Sequence, residues 1–364
     1  MSIFLPKVRD VGVALQNRFA FSLGLYLASV FVSAPALAGA APDSRGSSVP
    51  SASSSSTTCE LLSRGPGVDL LQQEALLHSS LKDFIEALQQ GKFDELARFF
   101  NKRAKVDSKI GDKIRILLAN RYDEPIQYSV FRVWRLRSPS AGKELVRGCP
   151  ESQDATLISQ FGYEKQFAVW LQIMGQNELG RIILALAPDK DRVSIIGFRL
   201  QQWSQQGSDW EAWTLKAQNE LKAGDKTQAY LSFDVAQKLL TGEDFVIYPQ
   251  QRILRDQRDQ IFSQNTLVNQ INQDAKIQSI AYVGSLLARD GTGLLIREIV
   301  TPKESTVALQ ELCRKRARTL QDLGWLKEKS GLRCNYIYAG MDPAEDSQLG
   351  GFYLSPSDLK NPQK

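Results

Sequence analysis

Histidine is almost missing from this chain: His78 is the only one in 364 residues. That scarcity excludes a histidine-built metal cluster and removes the commonest agent of acid–base catalysis. Signatures of other chemistry are lacking too, since no glycine-rich phosphate loop, metal-ligand spacing or nucleophile motif stands out. Nor is charge of one sign concentrated. Lys and Arg number 45 against 40 Asp and Glu, and residues 1–38 carry Lys7, Arg9 and Arg18 against Asp10, so removing them lowers the formal net charge from +5 to +3. So small an excess gives no reason to expect a nucleic-acid partner. No metal and no cofactor are expected.

What the sequence does have is an export leader. A basic segment holding Lys7, Arg9 and Arg18 runs into the apolar stretch Phe19 to Val32, which as a helix reaches only ~21 Å, short of the ~30 Å hydrocarbon layer. Pro35 breaks it, and Ala36-Leu37-Ala38 offers small residues for cleavage, placing a mature start near Gly39 outside the cytoplasm. The alternative is an uncleaved inner-membrane anchor over residues 19–41, which carry no charge. Lipidation at Cys59 is not favoured, because Ser56-Thr57-Thr58 precedes it where an apolar residue belongs.

The four cysteines, Cys59, Cys149, Cys313 and Cys334, are an even number in an exported chain, which makes disulfides the leading reading. Three pairings are open. Position along the chain favours Cys59 with Cys149 and Cys313 with Cys334, each pair inside one domain. Loop entropy assigns about 3 kcal/mol to the shorter loop and about 4–5 kcal/mol to the longer.

Residues 39–58, rich in Ser, Ala, Pro and Gly, read as a flexible tether. Leu77, Leu81, Phe84, Ile85 and Leu88 then recur at helical spacing, predicting a helix from about Leu70 to Gln90; a second is expected over 93–102 and a third over 109–120. Beyond Pro125 the period becomes two. Tyr128, Val130, Arg132, Trp134 and Leu136 alternate, followed by strand-like runs over 161–173, 181–187 and 193–203, joined by hairpin turns.

This order, together with the segment Phe84-Ile85-Glu86-Ala87-Leu88-Gln89-Gln90-Gly91-Lys92-Phe93-Asp94-Glu95-Leu96, resembles the nuclear-transport-factor-two-like superfamily over about residues 70–206. The resemblance implies helices packed into the concave face of a bent sheet. Enzymatic members place His and Asp inside that cone, and this chain departs from them in supplying only His78. A second resemblance, over about residues 210–243, is to one tetratricopeptide repeat: Trp213, Ala217, Gly224-Asp225, Ala229, Phe233 and Ala236 match its spacing, with Thr241 where Pro is expected. A further helix is expected over 250–273. The last section reads as a hairpin over 277–300, a helix over 305–323 and a strand over 333–339.

The fold class expected is therefore α+β: three N-terminal helices packed on a bent antiparallel sheet, a helical hairpin connector, and a small ββαβ C-terminal domain. Its divisions are a signal peptide (1–38), a linker (39–69), a helix-plus-sheet domain (70–206), a connector (207–273), a small α+β domain (274–340) and a tail (341–364).

Each candidate for chemistry has a plainer reading beside it. His78 borders an apolar stripe and reads as a boundary residue rather than a base. Asp154 with Glu164, and Asp189 with Asp191, are acids at strand ends, where turns attract them. Arg314, Lys315 and Arg318 form a basic helix surface suited to an anionic envelope surface, but nearby acids favour an ordinary solvated face. Tyr128, Trp134, Tyr163, Phe167, Trp170 and Trp203 offer aromatic lining for a pocket or filling for a core, with core favoured. The expected protein is an exported bacterial envelope module, periplasmic or secreted, non-catalytic, acting as a scaffold or binding another protein. A carrier of a small apolar ligand in the cone is the alternative, and an enzyme of unknown reaction the third reading. Contact with membrane is expected only through an uncleaved leader.

Overall fold

The computed structural model describes residues 57–64 and 74–360, apart from 105, 107–108, 147, 153–154, 243–244, 290, 302–303, 328–329 and 340–349. The leader, its cleavage site, most of the linker, Asp154 and part of the tail lie outside the described residues. The first half runs β1 (Thr58–Arg64), α1 (Ala75–Gln89), α2 (Ile110–Ala119), β2 (Gln127–Arg137), β3 (Leu145–Val146), β4 (Thr156–Ile158), β5 (Lys165–Met174), β6 (Leu179–Asp189) and β7 (Arg192–Gln202).

Five of these strands make one antiparallel sheet in the order β1-β2-β5-β6-β7. Both of its faces are buried. Toward the helices, Leu77, Leu81, Phe84 and Leu88 of α1 and Ile114 and Leu118 of α2 join Val133, Val169, Leu171, Ile182 and Leu184 in one core. On the outer face, Trp134, Leu136, Ala168, Trp170, Ile183 and Ala185 form a second core with Trp213, Phe233, Val235, Ala236 and Leu239 of the connector. Each large side chain so buried contributes roughly 1.5–3 kcal/mol. Two-sided burial explains why β5 and β6 read as nearly continuous apolar runs rather than clean alternations.

The second half runs α3 (Trp210–Lys222), α4 (Lys226–Leu239), β8 (Val246–Ile247), α5 (Pro249–Ile261), α6 (Gln264–Asp274), β9 (Ile280–Ala288), β10 (Gly291–Val300), α7 (Thr306–Asp322), β11 (Leu332–Tyr338), β12 (Gly350–Leu354) and α8 (Pro356–Lys360). Helices α3 and α4 are capped by Asp209 and Asp225, whose side chains accept from Ala212 N and Gln228 N, and Gly224, at φ 82°, turns the chain between them. Ala217, Ala229 and Ala236 are fully buried, which lets the helices approach closely. Helix α4 sends Phe233, Val235, Ala236 and Leu239 toward the five-stranded sheet and Tyr230 and Leu231 into a third core beneath β9 and β10. The connector is thus a beam shared by two cores. Strands β3, β4 and β8 pair as a small sheet over the outer core.

The expected architecture needs correction on several counts. Residues 58–64, read as linker, form β1, an edge strand that precedes every helix and closes one side of the sheet. Of the three N-terminal helices only α1 and α2 are α-helical. Residues Phe93–Phe99 form a 3-10 helix, because Phe100 turns extended and Asn101 N bonds to Ile195 O at 2.8 Å, so pairing with β7 replaces further helix. The helices cover one sheet face while the connector covers the other, and the described residues hold three sheets rather than two. The single helix expected over 250–273 breaks at Phe262, which is extended and packs 6.2 Å from Tyr230, and Ser263 caps the new helix α6. The C-terminal unit goes beyond ββαβ: β12 pairs with β11 and α8 follows, giving a sheet in the order β12-β11-β10-β9. Its β10 and β11 are parallel, joined by α7.

Two disulfides are present, Cys59–Cys149 and Cys313–Cys334. The first ties edge strand β1 to the loop after β3; the second ties α7 to β11 inside the third core. Among the described residues, no helix is long and apolar enough to cross a membrane.

Candidate functional site

A β-bulge decides where the aromatic candidates go. On β2 the register against β5 slips between Val130 and Arg132, leaving Phe131 without a partner of its own. Before the slip, Tyr128 and Val130 face the helices; after it, Trp134 and Leu136 face outward. The predicted pocket lining is therefore divided. Tyr128 and Phe167 belong to the helix-side core, Trp134, Trp170 and Trp203 to the outer one, and Tyr163 lies in the turn before β5, where its carbonyl accepts from Gln166 Nε2 at 2.9 Å. These six residues line no common pocket.

What does converge, on the outer face, is a set of arginines among aromatic rings. Arg132 stands opposite Trp170 across β2 and β5, Trp170 opposite Ile183, and Ile183 opposite Arg199, so both arginines share the outer face with Trp170. In the next row Gln172, Arg181 and Gln201 face each other across β5, β6 and β7. The Arg181 guanidinium, only 5% exposed as a residue, sits 3.2 Å from the Trp203 ring centroid, 4.7 Å from Trp170 and 5.1 Å from Phe131. Arg132 lies 4.3 Å over Phe131 and donates through Nη1 to the Phe131 carbonyl at 2.8 Å. Tyr248 meets Arg181 and donates to Gln201 Oε1 at 3.2 Å. Gln201 in turn donates to the Leu239 carbonyl, fixing the group against α4.

Burial lowers the Arg181 pKa to about 10, Tyr248 opposing the fall and Arg132 adding to it. The guanidinium stays charged at neutral pH. Burial likewise raises the Tyr248 hydroxyl to about 12, against the pull of Arg181 and Arg199. The carboxylate nearest Arg132 in this group is Glu151, 3.4 Å from its Nε, and Glu151 also pairs with Arg64 at 2.8 Å. The Nε–H of Arg132 and the indole N–H of Trp170 are both buried without a hydrogen-bond partner among the described residues. Each such orphan costs about 1–3 kcal/mol. Chemically, this arrangement can accept negative charge, with Glu151 the carboxylate beside it.

Other buried charges hold elements together. Asp234, 1% exposed on α4, lies 2.7 Å from Lys238 Nζ and 2.7 Å from Arg258 Nη1 of α5, and accepts from Ser285 N at 2.8 Å and Ser285 Oγ at 2.6 Å on β9. Burial alone would raise its pKa, but Lys238, Arg258 and Ser285 hold it at about 2. Glu298 of β10 pairs with Arg316 of α7 at 2.6 Å. Arg316 is thus drawn inward from the basic run, leaving Lys315 and Arg318 exposed and Arg314 half-buried. His78 is half-buried on α1. Asp189 accepts from Ser194 Oγ at 3.0 Å within the β6–β7 hairpin, while Asp191 and Glu164 are exposed. Among the described residues, no group of three or more His, Cys, Asp or Glu could hold a metal ion.

Sequence reasoning passed over Arg132, Arg181, Arg199, Gln201 and Tyr248. A signal existed, since Arg181 is a charge set directly before the apolar run Ile182 to Ala187. No protein-family model, no curated protein and no solved structure matches the chain.

Proposed function

We propose that this chain is an exported, non-catalytic module of a bacterial envelope, periplasmic or secreted, that binds another protein or holds proteins together. One observation carries the reading: the deeply buried carboxylates among the described residues, Asp234 and Glu298, are engaged in clasps between secondary-structure elements. Two disulfides support an oxidising compartment. The resemblance of α3 and α4 to one tetratricopeptide repeat supports contact with protein. So do Leu215 on α3 and Ile253 on α5, 59% and 56% exposed, on the helices that flank α4. The apolar carrier is less well supported, because α1 and α2 insert their own side chains where a ligand would sit.

The test is expression of the full chain with its leader in a Gram-negative host, followed by fractionation and non-reduced mass measurement. The expected species is shortened at the leader, lies outside the cytoplasm and is lighter than the reduced form by four hydrogens. A photo-crosslinker at Leu215 is expected to give one discrete protein adduct. A reduced, full-length protein in the cytosol would overturn the export reading, and a crosslinker at Leu215 that gives no adduct would overturn the partner reading.

A further inference from the structure

Arg132 and Trp170 are direct cross-strand neighbours on the outer face of the five-stranded sheet, and each keeps a buried N–H with no acceptor among the described residues, Nε of Arg132 and Nε1 of Trp170. Side chains in that relation start about 4.5–5.5 Å apart, close enough for one small group to reach both. Protein interiors rarely leave two adjacent donors unmet. An acceptor is missing here, and the surroundings say what kind. Two guanidinium groups, Arg132 and Arg181, lie against the same rings, Phe131 among them. The Glu151 carboxylate stands 3.4 Å from Arg132 but leaves its Nε–H without a hydrogen bond, being shared with Arg64. A neutral acceptor would meet the donors, whereas a negative one would also offset the excess of Arg64, Arg132 and Arg181 over Glu151, and among apolar rings such charge-assisted bonds gain strength.

We propose that this spot binds an oxyanion, a carboxylate or phosphoryl group, accepting from Arg132 Nε–H and Trp170 Nε1–H. Entry is from the Arg132 side, where 19% of the side chain remains exposed beside the half-buried Phe131 and Trp203. The proposal stands apart from the protein-partner reading and survives its failure.

Six tryptophans give six indole N–H signals in a nitrogen-15 correlation spectrum of the full, oxidised chain, and Trp170→Phe assigns one of them by its loss. Inorganic phosphate and sodium acetate are then titrated separately, with chloride holding ionic strength constant. The Trp170 signal is expected to move downfield and saturate while that of Trp325, in the third core, stays in place, and the anion that moves it distinguishes phosphoryl from carboxylate. Arg132→Gln is expected to weaken binding at least tenfold with the other five signals retained; where that variant loses them, Arg132→Lys serves the same comparison, keeping charge but lacking the Nε–H. A Trp170 signal unmoved by both anions, moved equally by chloride, or saturating equally well in the Arg132 variant would overturn the assignment.

Discussion

The two faces of the five-stranded sheet are built by the same strands and have opposite chemistry. The helix side is packed with Leu, Ile, Val and Phe from α1, α2 and the strands. The outer side mixes Trp134, Trp170 and Trp203 with Arg132, Arg181, Arg199 and Gln201 beneath the connector. An aliphatic interface is satisfied by shape alone, whereas an aromatic and cationic one must also find hydrogen bonds and countercharge. The bulges between Val130 and Arg132 on β2 and between the partners of Ala185 and Leu186 on β7 let one strand change which residues it gives to each side. The helix side therefore reads as stability, and the outer side as the place where composition exceeds what packing requires.

Four measurements would break or sharpen that contrast. The largest effect is expected on the helix side: Phe84→Ala removes a ring 2% exposed and edge-on to Phe99 at 5.3 Å, and should cost about 3–5 kcal/mol in urea unfolding. A loss below about 1 kcal/mol would show that this side is not the stabilising one. Next comes the crosslink of the outer side. Replacing Cys59 and Cys149 together with serine opens a loop of sequence separation 90 and should cost about 2–5 kcal/mol, more than the same change at Cys313 and Cys334, whose separation is 21. Equal losses, or the reverse order, would place the weight in the C-terminal unit instead.

The third measurement is a titration. Asp234 is held at about 2 from an ordinary 3.8, so its folded pKa is depressed and its contribution is complete above about pH 4. That contribution, about 2 kcal/mol, is lost as pH falls from 4 toward 2. Asp234→Asn should flatten the acid limb of stability in that window, and an unchanged limb would assign acid sensitivity to other carboxylates. The smallest effect belongs to the surface: Lys315→Ala with Arg318→Ala should change stability by less than about 0.5 kcal/mol, because both side chains are exposed on α7.

Much of the local structure was legible, and what was hidden had physical causes. The stripe Leu77, Leu81, Phe84 marks α1 because residues three and four apart fall on one buried helix face. The bulge at Phe131 leaves no mark in a run of bulky residues, so a strict alternation places Tyr128 and Trp134 together where the chain separates them. Strand β1 was concealed by the Ser-rich stretch ahead of it, although a bond from Cys59 to Cys149 already requires residue 59 to lie against the folded domain. The near-continuous apolar runs of β5 and β6 carried the message of two covered faces. Ser263 with Thr266 carried the break between α5 and α6, a cap in the middle of a helical pattern. The arginine cluster joins Arg132 of β2 to Arg181 and Arg199 of the β6–β7 hairpin, and only the register brings it together.

Cys59 is the second residue of β1, and every residue of the long N-terminal segment joins the fold through it. Were the chain tugged by that segment, an edge strand loaded from its end would unzip rung by rung. The sulfur bridge diverts such a load at the outset into Cys149, in the loop after β3, so the ladder between β1 and β2 feels little of it. Force applied to the chain ahead of β1 should thus stall at Cys59, with β1 giving way only after reduction.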